Sequence, residues 1–249
     1  RITNDGTLSI GAEAGARVEY STNGTVWTST QPSVVEGKNS VLVRQIDVAG
    51  NVSAATEFSF TLDTTALPAP TVSLLQDSGI VGDLLTNNGS LNVAADLGSV
   101  VEYSLDGQAW STVQPLAVEG SNTVLVRQVD TAGNASAAQS FSFTLDQTAP
   151  TSDLIISLRT DTGAQGDLIS RVGTFRVARL GAGNRLEYSA NGTDWSDTKP
   201  LAVEGNNTMY VRQVDVAGNA SVAQTLSFIR DSIAAPVAVS LLNDNGISS

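Results

Sequence analysis

The chain has 249 residues with 13 basic and 25 acidic side chains, a net charge of −12, and neither histidine nor cysteine. That removes His-based triads, thiol nucleophiles, disulfide frameworks, and zinc or iron sites of the usual nitrogen and sulfur kinds. The acidic excess also excludes the basic patch that nucleic acid or an anionic membrane requires, so the expected small partner is a cation held by oxygen.

Hydrophobic residues make up 41% of the chain, but only three Trp, four Tyr and six Phe supply bulk, which suits several small cores better than one large one. No apolar run approaches the roughly 18 residues of a membrane span, so no direct membrane insertion is expected. The chain opens on Arg1 without a start Met or a signal-like segment and reads as a piece of a longer protein. The missing cysteine fits an exported protein and a cytosolic one alike.

Internal repetition organises everything else. Trp27, Trp110 and Trp195 stand 83 and 85 residues apart, and Tyr20, Tyr103 and Tyr188 keep that spacing. So do the segments Asp47-Val48-Ala49-Gly50-Asn51, Asp130-Thr131-Ala132-Gly133-Asn134 and Asp215-Val216-Ala217-Gly218-Asn219, and the strand-ending acids Asp63, Asp146 and Asp231. The repeat phase divides the chain into a first module at 1–66 that lacks its first strand, complete modules at 67–150 and 151–235, and the first strand of a fourth at 236–249.

In chain order, the second module shows the pattern. Short β-rich runs at 71–76, 90–95 and 100–104 are followed by Asp106-Gly107, a dipeptide suited to the positive φ of a tight hairpin, and then by Trp110. Runs at 116–119, 123–130 and 139–146 complete about seven strands, the count of an immunoglobulin-like β-sandwich with one Trp near its third strand. Between modules lie Pro68, Pro70 and Pro150 in short connections, which predicts an elongated rod of all-β sandwiches at roughly 30 to 40 Å per module. Glu19 with Arg44, Glu102 with Arg127 and Glu187 with Arg212 fall on neighbouring strands and should form three outward-facing ion pairs.

The carboxylates cluster at strand ends. The loop from Asp77 to Asp83, the end of the last strand at Asp146 and the loop holding Glu119 all lie at the bottom of the second module. Asp215 and Asn219 lie at the top of the third, so four acids and two further oxygen donors are expected to converge at one junction. Their mutual repulsion asks for a neutralising cation, and Ca2+, with 6 to 8 oxygen ligands and tolerance for irregular geometry, fits better than Mg2+. The same positions recur as Glu36, Asp63, Asp130 and Asn134 at the first junction, and as Asp161, Asp167, Glu204 and Asp231 after the third module. For Asp130 and its equivalents the competing reading is an Asx turn closed by the following Ala-Gly-Asn.

Three recurring motifs, Val126-Arg127-Gln128-Val129-Asp130, Phe143-Thr144-Leu145-Asp146-Gln147-Thr148-Ala149-Pro150 and Ser157-Leu158-Arg159-Thr160-Asp161, resemble those of the bacterial Ig-like repeats of giant type I secreted adhesins of the biofilm-associated and RTX kind. The resemblance runs over the whole chain. It implies secretion to the bacterial cell surface, calcium at or near the junctions, and a non-enzymatic stalk that serves cell adhesion or biofilm formation. The adhesive target would then be bound by a domain elsewhere, and the neighbouring modules would be the partners of these residues. The third module departs from the pattern with Arg171, Arg176, Arg179 and Arg185 and with a linker that begins Thr151-Ser152-Asp153.

Two other classes compete. A glycosidase needs only two carboxylates in one cleft, but here similar acids are repeated three times at junctions. A direct glycan or protein binder needs an exposed aromatic platform, and almost every aromatic sits at a repeating position best explained by a core, Phe175 and Tyr210 being exceptions. The segment from Ser104 to Trp110 is one residue too short for a sialidase-type Asp box. The Asn-x-Ser/Thr sites at Asn23, Asn51, Asn88, Asn134 and Asn191 read as turns.

Overall fold

The structure is a computed structural model that describes residues 1–240 and Leu242, so part of the expected fourth-module strand at 236–249 lies outside the described residues. Every regular element among the described residues is a strand, and no helix is long and apolar enough to cross a membrane. Residues 1–66 carry β1 (Ile2–Thr3), β2 (Arg17–Ser21), β3 (Gly37–Ile46) and β4 (Thr56–Leu62). Residues 67–150 carry β5 (Thr71–Leu74), β6 (Leu85–Thr86), β7 (Leu91–Ala94), β8 (Val100–Ser104), β9 (Gly120–Val129) and β10 (Gln139–Leu145). Residues 151–235 carry β11 (Ile155–Leu158), β12 (Ile169–Ser170), β13 (Phe175–Ala178), β14 (Arg185–Ser189), β15 (Gly205–Val214) and β16 (Gln224–Arg230). The chain forms two compact units: Arg1–Gln76 with Asn88–Leu145, and Asp77–Asn87 with the chain from Asp146 onward.

Each module repeats one plan. The long central strand pairs antiparallel with the strands before and after it, as β9 does with β8 and β10. In the first and third modules a two-residue strand adds in parallel at the edge, giving the orders β1-β4-β3-β2 and β12-β16-β15-β14. The second layer is a two-stranded antiparallel sheet, β5 with β7 and β11 with β13.

Period-two patterning explains the packing. Along β9, Val124, Val126 and Gln128 are buried while Leu125 and Arg127 take the other face. Between the two layers of the second module Leu74 packs with Phe143 and Leu145, flanked by Leu91, Ala117 and Phe141. The third module has the larger core, with Leu154, Leu158, Phe175, Met209, Val211, Leu226 and Phe228.

Three expectations are corrected. The run at 116–119 is not a strand: Leu116 is 95% exposed, and the Asn122 side chain takes over the local backbone bonding by accepting from Val118 N–H and donating to the Val118 and Gly120 carbonyls. An amide that satisfies both donor and acceptor removes the need for a strand partner. The unforeseen β6 is only two residues long, and such a segment leaves almost no periodic signal.

The tryptophans are not core residues either. Each is half-buried on the outer face of the sheet, beneath the Arg of the expected ion pair, with guanidinium-to-ring distances of 4.0 Å for Arg44 on Trp27, 4.0 Å for Arg127 on Trp110 and 4.1 Å for Arg212 on Trp195. The ion pairs themselves form between directly opposed residues, at 2.7 Å in the first two modules and 2.6 Å in the third. Arg17 adds a second contact to Glu19 at 2.8 Å, and Arg185 does the same for Glu187. Phe175, by contrast, is 4% exposed and packs edge-on to Tyr188 in the core, so it offers no platform for a ligand.

Candidate functional site at the module junctions

The Asp-x-Ala-Gly-Asn loop is built around its own aspartate. Asp130 Oδ1 accepts from the N–H groups of Ala132, Gly133 and Asn134 at 2.8, 2.8 and 2.9 Å, and Oδ2 accepts from the Asn134 side chain at 2.9 Å. Asp47 and Asp215 close the same turn on Asn51 and Asn219. The side-chain bond from Asn134 is the main cause that holds the Asp130 carboxyl below its ordinary value, and Asn51 has the same effect on Asp47.

The asparagine then reaches outward. Within the first compact unit Asn134 donates to the Asp63 carbonyl at 2.7 Å, and Asn4 N–H donates to the Ala132 carbonyl at 3.2 Å. Within the second unit Asn219 donates to the Asp146 carbonyl at 2.8 Å. The loop from Asp77 adds more there, with Ser78 Oγ donating to the Ala217 carbonyl at 2.5 Å and Ile80 N–H to the Val216 carbonyl at 3.3 Å. Approach is closest at Gly79: a β-carbon there would lie 1.9 Å from the Val216 carbonyl oxygen, and its φ of +75° also favours glycine. Ser78 further accepts from Asn87 N–H at 2.8 Å and meets the fully buried Thr86 hydroxyl at 3.1 Å.

The remaining acids mostly hold their own turns. Asp63 and Asp146 accept from Thr65 and Thr148 N–H, and Asp83 and Asp167 from Leu85 and Ile169 N–H. Glu36 and Glu204 bind the backbone and hydroxyl of Thr64 and Ser232 just past the last strand, the place Glu119 takes in the second module. Asp231 N–H donates to the Ser170 carbonyl, and the residue borders a small cleft with Thr162 and Arg171. Among the described residues no three carboxylates gather closely enough to hold a metal on their own. The structure does bring Asp146, Asp215 and Asn219 together, through the Asp146 backbone carbonyl.

Asp77 and Asp161 stand apart. Each carboxylate accepts one backbone bond with Oδ2, from Gly82 at 2.6 Å and from Gly166 at 2.7 Å. Each Oδ1 is buried with no hydrogen-bond partner. The two loops share a further peculiarity: Leu84 and Leu168 adopt φ of 58° and 59°, a conformation that side chains with a β-carbon rarely take. A buried, unpaired anionic oxygen costs several kcal/mol unless a cation or donor meets it, so the donor set fits a hard cation such as Ca2+.

Sequence reasoning missed Ser78, Gly79 and Ala217 as contact residues and Gln128 as a buried hub. Gln128 donates to the Pro68 carbonyl at 2.7 Å and to Asp96 at 2.8 Å, and accepts from Asp96 N–H and Ser99. Its signal was present, since Gln128 continues the buried phase of Val124 and Val126.

With two layers, repeated antiparallel ladders and a shared core between them, the fold is decided. It is an immunoglobulin-like β-sandwich. No protein-family model and no curated protein matches the chain. Solved structures similar to it include the fibronectin(III)-like modules of Clostridium thermocellum CbhA, at 18% identity over 56% of this chain and 83% of that one, with a TM-score of 0.34. The FN1–FN3 domains of chicken CNTN1 match at 10% identity over 86% and 91%, with a TM-score of 0.38. A 1.5-MDa bacterial ice-binding adhesin matches at 20% identity over 86% and 85%, with a TM-score of 0.26.

Proposed function

We propose that these modules are an extender region of a bacterial surface adhesin, stiffened at its module junctions by Ca2+ and serving cell adhesion or biofilm formation through a target-binding domain elsewhere in the protein. The observation that carries the reading is the repeated junction bracket, in which the Asn of the second and third Asp-x-Ala-Gly-Asn loops, Asn134 and Asn219, binds the carbonyl that ends the preceding module. A connection bonded in the same way twice resists bending, which is what a spacer needs and a catalyst does not. The recurring motifs that resemble adhesin repeats point the same way.

The cation reading rests on the buried, unpartnered Oδ1 atoms of Asp77 and Asp161. Bound there, Ca2+ would supply the positive charge that these oxygens lack. Asp77 and Asp83 would hold it in the loop that belongs to the second compact unit, with Asp146 at the start of that unit's other segment, and Asp161, Asp167 and Asp231 would do so in the third module.

Thermal melting and small-angle scattering on the whole chain, with Ca2+ and with chelator, test the reading. Ca2+ at a hundredfold excess over its dissociation constant should add about 2.7 kcal/mol to the modules it contacts. Asp77→Ala should abolish the shift at the second junction while leaving the chain folded. Equal melting temperatures and equal scattering curves in both buffers would sink the calcium claim.

A further inference from the structure

The third module carries an arginine face that has no counterpart in the second. The acidic excess is an average over the chain: the second module has one cation and eight acids, the third eight cations and nine acids. On the outer faces of the larger sheets arginine meets glutamate. Arg17 and Arg44 bind Glu19, Arg127 binds Glu102, and Arg185 and Arg212 bind Glu187. Arg159, Arg176 and Arg179 are exposed and form no ion pair among the described residues.

Strand alternation gathers these three. Along β11 and its flanks Leu154, Ile156 and Leu158 turn to the core, so Ile155, Ser157 and Arg159 take the outer face. On β13 Phe175 and Val177 turn inward, and Arg176 and Ala178 outward. Arg176 stands opposite Ser157 and donates from Nε to its hydroxyl at 3.0 Å. Arg159 N–H donates to the Thr174 carbonyl, which makes Arg159 and Arg176 diagonal neighbours about 7–8 Å apart. Arg179 follows β13 directly and is an added residue. Gln128 and Gln213 accept from the chain just past this strand, at Asp96 and at Gly181, with one residue after Ala94 in the second module and two after Ala178 in the third. The φ of Arg179, 66°, is a left-handed conformation that an arginine rarely takes. The same face of the second module, with Ser73, Leu75, Asn92 and Ala94, carries no charge.

Guanidiniums grouped without carboxylates call for an anionic partner, and the surroundings select its class. The face offers no aromatic ring on which a nucleic-acid base could stack. The arginines project from a face whose backbone is closed by the ladder between β11 and β13, so an extended peptide finds no main-chain partners there. What the face does offer is guanidinium forks, the hydroxyls of Ser157 and Thr174, and the apolar side chain of Ile155, 46% exposed. Planar carboxylates match the forks, and sugar hydroxyls and ring carbons match the rest.

We propose that the outer face of β11 and β13 binds a linear polysaccharide that carries carboxylates, with Arg159 and Arg176 each holding a carboxylate of a different sugar and Arg179 holding the chain at one end. Titration calorimetry on the whole chain with polygalacturonate tests this, with uncharged dextran as the control and in chelator so that calcium bridges between two acidic polymers play no part. Binding should appear at low salt, weaken as salt rises and be absent with dextran. Arg159→Ser and Arg176→Ser should each weaken it roughly tenfold, the worth of one charge-assisted hydrogen bond. Lys38→Ser, the same charge change on the first module, should leave it within about twofold. In the unaltered chain the polymer should shift the amide resonances of residues 155–159 and 174–179. No binding at low salt overturns the proposal, as do an equal loss in Lys38→Ser and resonance shifts confined to other strands. Polyglutamate or single-stranded DNA bound as tightly as polygalacturonate would overturn the polysaccharide as the partner.

Discussion

The first and third modules share one four-stranded sheet plan and differ in what covers it. In the third, Leu158 from β11 closes the core, and the fully buried Gln213 ties the Thr151 carbonyl, Gly181 and Asn184 to the sheet. In the first, the corresponding strand place is a groove, and Gln45 is half-buried and accepts from Glu13 N–H. The sheet is specified by local hairpins and alternation, whereas the depth of the core depends on one non-local strand. Stability should therefore divide between modules according to whether that strand is in place.

Removing the covering leucine gives the largest expected effect. Leu158→Ala should destabilise the third module by about 2–5 kcal/mol, the range for deleting a buried leucine. Ile10→Ala, on the groove wall of the first module, should cost less than about 1 kcal/mol because Ile10 is 36% exposed and pairs with no strand among the described residues. Urea unfolding with a single reporter, Trp195 or Trp27, the other tryptophans being changed to Phe, separates the two modules. Equal costs at the two sites would break the comparison.

The buried glutamine sharpens it. Gln128→Leu keeps the volume but strands the Pro68 carbonyl and Asp96 N–H inside the protein, so the second module should lose about 2 kcal/mol or more. Gln45→Leu should change the first module by under about 1 kcal/mol, because its surroundings are partly open to water. Faster amide exchange at Asp96 in the Gln128→Leu chain, with no counterpart at Glu13 in Gln45→Leu, would confirm that linker anchoring makes the difference.

Much of this was legible beforehand, for physical reasons. The repeat fixes the module plan, and the strand at 100–104 and the opposed Glu102 and Arg127 follow from alternation and a tight turn, both local signals. Side-chain substitutes for backbone pairing were not legible: Asn122 replaces the strand at 116–119, and Gln114 bridges Gly89 and Leu91 across 25 and 23 residues. The repeating positions of the tryptophans suggest core residues, whereas the strand carrying Arg127 points that side chain outward and the ring follows its cation. At the junctions the repeat singles out the acids that follow the last strands, such as Asp63 and Asp146. Which of their oxygens close local turns and which, as at Asp77, are left over depends on loop geometry that periodicity does not encode.

The smallest effect concerns acid. Burial opposes ionisation of Glu187, but hydrogen bonds from Arg185 and Arg212 and their charges outweigh it and hold the carboxyl below its ordinary value of 4.5. On acidification the unfolded chain therefore takes up this proton first. The ion pair's contribution is complete above the unfolded value and is lost as pH falls through the lower folded value. The second module has Val100 where the third has Arg185, so Glu102 meets one guanidinium there and Glu187 meets two. Arg185→Val should therefore leave the third module nearly unchanged when fully acidified and cost it about 0.5 kcal/mol near neutral pH, within the usual range of a partly exposed pair. The comparison belongs within the third module, because Asp130 adds its own acid dependence to the second. Unfolding followed through Trp195 from neutral pH to below 4.5 reads the difference. A gap between the two chains that stays constant across that window would mean that Arg185 acts through its packing rather than its charge.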